Sequence, residues 1–298
     1  MSARPAIYEI NTATWLGGHS LADVPARRWD ALAALPVDAV WLMGVWRRSP
    51  AGRAIALRDP GSYAGGRPEN VIGSPYCVRE YVVDERFGGR AGLAAARREL
   101  AVRGLRLILD FVPNHVAPDH PWVTEHPEFF VRAADGTIER GRDPYFPPWA
   151  DVLQLDAFHP GLRAALAETL VDVGAQCDGL RVDMAMLVTN AIFARTWDRE
   201  PPAEEFWPQL LARVKWTHPE LLLIAEAYWD TEATLQQQGF DFCYDKRLYD
   251  RLVEGGDVRA HLEAPLAYQE RSCGSSRTTT SRARRPCSGP SGRAPRRW

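Results

Sequence analysis

The chain has 298 residues, of which 46% are apolar and 25% are charged, a balance typical of a globular protein with an ordinary core. It contains no run of about 18 apolar residues, so we expect no membrane-spanning helix. The opening MSARPAIYEI lacks the apolar stretch of a secretory signal. The five cysteines fit neither a metal-binding spacing nor a disulfide framework, and we therefore expect a cytoplasmic protein.

The net charge of −2 hides an uneven distribution. Residues 271–298 contain eight arginines and no acid, which leaves 28 basic and 38 acidic residues in 1–270. An acidic body of this kind argues against nucleic acid as a partner. Arginine outnumbers lysine 34 to 2, which indicates a GC-rich gene.

Strands and helices alternate in the predicted order of elements. Short apolar runs predict strands, and amphipathic stretches predict helices. In chain order we predict a strand at 7–12, a helix at 28–35, a strand at 39–43, a helix at 91–103, a strand at 105–111, a helix at 159–174, a strand at 179–182, a helix at 204–214, strands at 221–225 and 240–244, and a helix at 248–253.

This alternation predicts parallel strands joined by crossover helices. Two architectures fit it: an open doubly wound sheet and a (β/α)8 TIM barrel. No glycine-rich fingerprint follows a strand, so a dinucleotide-binding site is disfavoured. Residues 116–157 are rich in proline and aromatic residues without a sustained period, which indicates a long loop or a small inserted subdomain.

Polar residues stand where three apolar strands end. Asp110 ends the third strand, Arg181 and Asp183 end the fourth, and Glu226 follows the fifth. In a barrel the carboxyl ends of the strands share one mouth, where active sites lie. Two of these acids would suit a nucleophile and an acid/base acting on a glycosidic bond.

Three motifs carry a resemblance to a known family. DFVPNH, GLRVDMAM and AEAYW resemble, in order, three signatures of the alpha-amylase family, glycoside hydrolase family 13, and IYEINTATWL and GSPYCVREY are similar to further family segments. The resemblance runs from about residue 7 to 269. It implies a (β/α)8 barrel, of which we count about six of the eight βα units.

The resemblance also implies roles for individual residues. Asp183 would be the nucleophile and Glu226 the acid/base, while Arg181 would keep Asp183 ionised. His115 would hydrogen-bond the sugar at the cleavage point, Tyr76 would stack on that sugar, and Asp110 would support the site. These six residues are the predicted catalytic and substrate-binding set: Tyr76, Asp110, His115, Arg181, Asp183 and Glu226.

Further ligands are predicted less fully. Asn114 matches a position that binds calcium in some family members, which leaves calcium open as a ligand. Because the sequence shows no complete oxygen cage, we predict no cofactor and assign no metal site. Trp122 and Trp149, in the long loop, are candidates for stacking on sugar, and Trp41 is expected in the core. The expected partner is an α-glucan or oligosaccharide substrate.

We divide the chain into a first barrel part at 1–115, the excursion at 116–157, a second barrel part at 158–270 and an aberrant tail at 271–298. The family's fourth signature, Asn-His-Asp on the seventh strand, does not follow residue 270. The Arg-rich tail is expected to be disordered and to form no barrel strand. The tail can be written in GC-rich codons from Arg271 onward. When this codon string is translated after skipping its first two bases, it gives VVRFIENHDEPRAATLFGPE, which contains Asn-His-Asp. We therefore expect a frameshift near Arg271 that truncates a longer enzyme.

The predicted activity is a retaining α-glycoside hydrolase acting on α-glucans or malto-oligosaccharides. A glucan transglycosylase is the alternative, because HVAPDHPWVTEHPEFFVRAADGTIE is similar to the corresponding loop of enzymes that move maltosyl units onto glycogen. A second alternative is an inactive, truncated amylase-like protein.

Overall fold

A computed structural model describes residues 5–58, 68–263 and 271–273. In these ranges the strands are β1 (Ile7–Asn11), β2 (Ala39–Met43), β3 (Trp46–Arg48), β4 (Val78–Val83), β5 (Arg106–Phe111), β6 (His115–Val116), β7 (Leu153–Gln154), β8 (Gly179–Val182), β9 (Leu222–Ala225), β10 (Phe242–Tyr244) and β11 (Ser272–Cys273). The α-helices are α1 (Thr12–Leu16), α2 (Ala26–Ala33), α3 (Pro50–Arg58), α4 (Gly89–Ala101), α5 (Trp122–Glu125), α6 (Pro160–Gly174), α7 (Asn190–Trp197), α8 (Trp207–Thr217), α9 (Glu232–Gln237), α10 (Lys246–Glu254) and α11 (Val258–Glu263). Every predicted strand and helix is present, with its ends displaced by at most three residues.

Within the described residues, the main sheet has seven parallel strands in the order β1-β2-β5-β8-β9-β10-β11. This order follows the chain without a reversal, whereas a doubly wound sheet reverses direction at a switch point. The arrangement is therefore the arc of an incomplete (β/α)8 barrel, as predicted.

Both faces of the inner strands β2, β5, β8 and β9 are buried, which explains why these strands are largely apolar without alternation. On β2, Ala39, Trp41 and Met43 face the barrel interior, while Val40 and Leu42 face the surrounding helices. The helices cover the outer face through apolar residues at helical spacing. In α6 the buried positions include Leu162, Leu166, Leu170 and Val173.

The segment after the third barrel strand returns to its starting point. β6 pairs antiparallel with β7, so that His115 lies opposite Gln154. The chain between them forms α5 and short bridges, including Arg140 with Leu153. The excursion is thus anchored at both ends beside the barrel mouth, and the predicted domain boundaries remain predictions.

One expectation about the tail is wrong in its first residues. Ser272–Cys273 forms β11, which pairs in parallel with Cys243–Tyr244 of β10. Strand pairing uses main-chain groups, so it does not require the apolar side chains whose absence suggested that no strand would form. Residues 274–298 lie outside the described residues. The expectation that they are disordered therefore stays a prediction. No helix in the described ranges is long and apolar enough to cross a membrane.

Candidate active site

Four charged side chains meet at the carboxyl ends of three neighbouring strands. Asp110 in β5 lies in register with Arg181 in β8, and β8 pairs with β9 up to Val182 and Ala225. Asp183 and Glu226 are the next residues after those two strands. The parallel register therefore brings together residues that are more than 110 positions apart in sequence.

Arg181 is the centre of this group. Its Nη1 lies 2.6 Å from Oδ1 of Asp183 and 3.7 Å from Oδ1 of Asp110, and its Nη2 lies 2.5 Å from Oε2 of Glu226. None of the four side chains is more than 5% exposed. One guanidinium thus holds both predicted catalytic carboxylates, with one terminal nitrogen assigned to each.

Glu226 is held by two further donors. The Met184 amide donates to its Oε2 at 2.8 Å, and the Tyr228 hydroxyl donates to its Oε1 at 2.5 Å. Burial raises the pKa of Glu226, against the opposing effect of Arg181 and these two hydrogen bonds. A carboxyl with a raised pKa is suited to hold and deliver a proton near neutral pH.

Asp110 connects the group to the second strand. The amide of Gly44, directly after β2, donates to its Oδ2 at 2.9 Å. Gly44 has a φ of 75°, and a Cβ at this position would lie 2.7 Å from Cβ of Pro75, so glycine is strongly favoured there. Burial raises the pKa of Asp110 to about 7, although Arg181 opposes the shift.

Aromatic rings surround the Arg181 guanidinium. It lies 5.1 Å from the ring centres of Trp41 and Tyr76 and 5.7 Å from that of Tyr244. Its Nε also donates to the Tyr244 hydroxyl at 3.2 Å. Trp41 is buried at the inner face of β2 as expected, and Tyr76 lies within this cluster.

Sequence reasoning missed Tyr244, although a signal for it was present. Tyr244 is the last residue of β10, and the rule that selected Asp110 as a polar residue at the end of a strand selects Tyr244 as well. Sequence reasoning also missed Tyr228, which lies two residues after Glu226. Nothing in the sequence indicates that its hydroxyl reaches the carboxylate.

His115 lies at the start of the excursion. It is buried, and its ring packs 5.3 Å from that of Trp149. Burial lowers the pKa of His115 to about 4, so the imidazole is neutral at pH 7. Trp122, the other stacking candidate, packs against His120 and Phe129 instead.

The side chain of Asn114 is hydrogen-bonded to Gln154. Its Oδ1 accepts a hydrogen bond from Nε2 of Gln154 at 3.0 Å, and its Nδ2 donates to Oε1 of that residue at 3.3 Å. Within the described ranges no three His, Cys, Asp or Glu side chains are grouped so as to hold a metal ion. The Asn114 side chain thus links the residue before β6 to Gln154 in β7.

Comparisons with known proteins agree on one family. The alpha-amylase catalytic domain matches residues 26–149. An alpha-1,4-glucan:maltose-1-phosphate maltosyltransferase from Pseudomonas aeruginosa is 28% identical over 218 residues, which cover 70% of this chain and 30% of that protein. A second enzyme of this name, from Streptomyces coelicolor, is 30% identical over 76% of this chain and 32% of its own length. The chain thus spans about a third of the length of the curated relatives it matches.

Solved structures show the same fold. An alpha-amylase from Lactobacillus plantarum superposes with a TM-score of 0.66 at 24% identity, covering 88% of this chain and 58% of that one. A cyclic alpha-maltosyl-(1→6)-maltose hydrolase from Arthrobacter globiformis gives 0.65 at 17% identity, covering 91% and 65%. These structures show the fold. The match of 26–149 to the alpha-amylase catalytic domain, with the motifs at the ends of β5, β8 and β9, shows that the chain belongs to the alpha-amylase family.

Proposed function

We propose that this protein acts on α-glucans or malto-oligosaccharides as a retaining enzyme that transfers a glycosyl unit to a sugar hydroxyl. The observation that carries the proposal is the Arg181 guanidinium, which holds Asp183 and Glu226 at one barrel mouth. Retaining glycosidases and transglycosylases both need two such carboxyl groups close together. Four free cysteines in the described ranges fit our proposal of a cytoplasmic location.

The two carboxyl groups divide the reaction into two steps. Asp183 attacks the anomeric carbon, a bond forms between them, and the leaving oxygen takes the proton of Glu226 as its own bond to that carbon breaks. Glu226 then removes a proton from the acceptor hydroxyl, which attacks the anomeric carbon and releases Asp183. The raised pKa of Glu226 supports its role as the acid in the first step.

Transfer is favoured over hydrolysis by the relatives. Relatives found by sequence carry the name maltosyltransferase, and the loop after β6 is similar to the corresponding loop of enzymes that move maltosyl units onto glycogen. Hydrolysis differs only in the acceptor, since water would take the place of the sugar hydroxyl. We therefore place the hydrolase second.

A trapping experiment tests the proposal. In Glu226→Gln, α-maltosyl fluoride still reacts with Asp183 because fluoride leaves without a proton, but the second step lacks its base. We expect a maltosyl adduct on Asp183 to accumulate and be detected by peptide mass spectrometry. Glu232→Gln, which alters another buried glutamate after β9, is the matched control and should accumulate none.

Two results would count against the proposal: an adduct on a residue other than Asp183, or no adduct in a folded Glu226→Gln variant. Acceptor choice is then measured separately. The unmodified protein is given α-maltosyl fluoride with glycogen present, and elongated glycogen is expected in preference to free maltose.

A further inference from the structure

Three side chains from neighbouring strands form one layer across the barrel mouth. β8 and β10 both pair with β9 up to Ala225. The residues that follow these last pairs on β8, β9 and β10 are Asp183, Glu226 and Tyr244. Arg181 precedes Asp183 by two residues, so its side chain starts on the same inner face, one layer below.

Arg181 assigns one nitrogen to each member of this layer. Its Nη1 lies 2.6 Å from Asp183, its Nη2 lies 2.5 Å from Glu226, and its Nε donates to the Tyr244 hydroxyl at 3.2 Å. The two contacts at the terminal nitrogens alone would allow the planar guanidinium to turn about the line that joins those nitrogens. An acceptor at Nε removes this freedom, because three points fix a plane.

Tyr244 suits this task through its burial and its charge state. The residue is 7% exposed, and burial raises the pKa of its hydroxyl against the opposing effect of Arg181. The hydroxyl therefore stays neutral. A neutral oxygen accepts the Nε proton without adding another negative charge to a group in which three carboxyls already surround one guanidinium.

We infer that Tyr244 is a positioning residue, whose hydroxyl sets the plane of the Arg181 guanidinium and thereby the alignment of Asp183 and Glu226. The inference rests on the proposed function, which needs these two carboxyl groups held close together. If the guanidinium turned, the hydrogen bonds from both terminal nitrogens would bend at once, and a bent hydrogen bond is weaker. Arg181 lowers the pKa of Glu226, so a weaker contact raises that pKa.

Tyr244→Phe isolates the hydroxyl, because the ring that lies 5.7 Å from the Arg181 guanidinium is retained. In a ¹³C NMR titration, the pKa of Glu226 should rise by about 0.5 or more. Tyr81→Phe is the matched control. It removes a hydroxyl that bonds to the main chain of Val112 instead, and it should leave the pKa of Glu226 unchanged.

A second measurement tests the same bond in a chain that keeps every hydroxyl. A tyrosine fluorinated on its ring is incorporated at position 244. Fluorine withdraws electron density from the hydroxyl oxygen and makes it a weaker acceptor for Nε of Arg181. The ¹H resonance of the Nε proton should shift, whereas the same fluorinated residue at position 81 should leave the resonance in place.

The trapping experiment supplies a third readout. When Tyr244→Phe is added to Glu226→Gln, the maltosyl adduct on Asp183 should form about tenfold more slowly, because the nucleophile is less well aligned. Adding Tyr81→Phe should not slow the formation of the adduct.

An unchanged pKa of Glu226 in folded Tyr244→Phe overturns the inference. So does an Nε resonance that does not respond to fluorination, or an adduct that forms on Asp183 at the original rate. The titration and the resonance need no turnover, so both decide the role of Tyr244 even if no adduct forms and the proposed function fails.

Discussion

Replacing Arg181 with methionine removes the guanidinium that holds the buried acids together. The methionine keeps most of the apolar volume but offers no positive charge to Asp183, Glu226 or Asp110. Breaking a buried ion pair by removing one partner costs roughly 3–5 kcal/mol of stability, because the remaining charge stays in the interior unpaired. We expect a loss of this size at pH 8.

The loss should be smaller in acid, and this distinguishes charge from packing. Arg181 lowers the pKa values of both Asp110 and Glu226, so its removal raises them further. At pH 5 these carboxyls then take up protons instead of remaining as unpaired anions. We expect the destabilisation at pH 5 to be less than half of that at pH 8.

Urea unfolding followed by tryptophan fluorescence measures both values. Arg259→Met is the control, since it removes an exposed pair with Glu263 and should cost less than about 1 kcal/mol at either pH. A loss below 1 kcal/mol for Arg181→Met at pH 8 would refute our account of the site. So would an equal loss at the two pH values, since packing alone does not titrate.

Further predictions concern single groups. The pKa of Asp110 is raised from 3.8 to about 7, so between these pH values the folded state keeps a proton that the unfolded state has released. The free energy of unfolding should therefore decrease by up to about 4 kcal/mol as pH rises from 4 to 7. In Asp110→Asn this decrease should be absent from unfolding measurements. The pKa of His115 is lowered from 6.5 to about 4, so the free energy of unfolding should decrease by about 3 kcal/mol as pH drops through this range. In His115→Gln this decrease should be absent. Tyr228→Phe should raise the pKa of Glu226 in a ¹³C NMR titration, because a donor to its charged form is lost, whereas Tyr8→Phe should leave it unchanged. The gene, read two bases out of phase from codon 271, should encode a strand that ends in Asn-His-Asp; codons that exclude this reading contradict the frameshift.

The barrel strands were predictable because burial on both faces leaves continuous apolar runs. β2 and β5 stand out in this way. Gly44 directly follows β2, and Asp110 is the penultimate residue of β5. The convergence of Asp110, Arg181 and Glu226 follows from parallel strands sharing one mouth. Choosing the barrel over the doubly wound sheet, however, required the family resemblance, since both architectures produce the same alternation of elements.

Side-chain contacts made across loops were not predictable. The Tyr145–Trp229 contact joins residues 84 positions apart on two irregular segments. The left-handed backbone of Trp229 has no sequence signal, because tryptophan is not a residue that favours it. The same holds for β11, whose pairing depends on backbone groups that every sequence supplies.

The contacts of Arg181 fall into two kinds: those with carboxylates on the inner strands of the sheet, and the one with Tyr244 near the edge of the described sheet. Asp110, Arg181, Asp183 and Glu226 belong to β5, β8 and β9 or follow them directly, and each of these strands is paired on both sides. Tyr244 belongs to β10, whose outer neighbour in the described ranges is the two-residue β11. A disturbance at that side of the sheet should therefore release the Tyr244 hydroxyl from Nε of Arg181 before it alters the bonds of Arg181 to the carboxylates. Hydrogen exchange should follow this order, with faster exchange in 242–244 than in 179–182 and 222–225. Equal protection of the three strands would show that the site opens as one unit, and the distinction between the two kinds of contact would then be wrong.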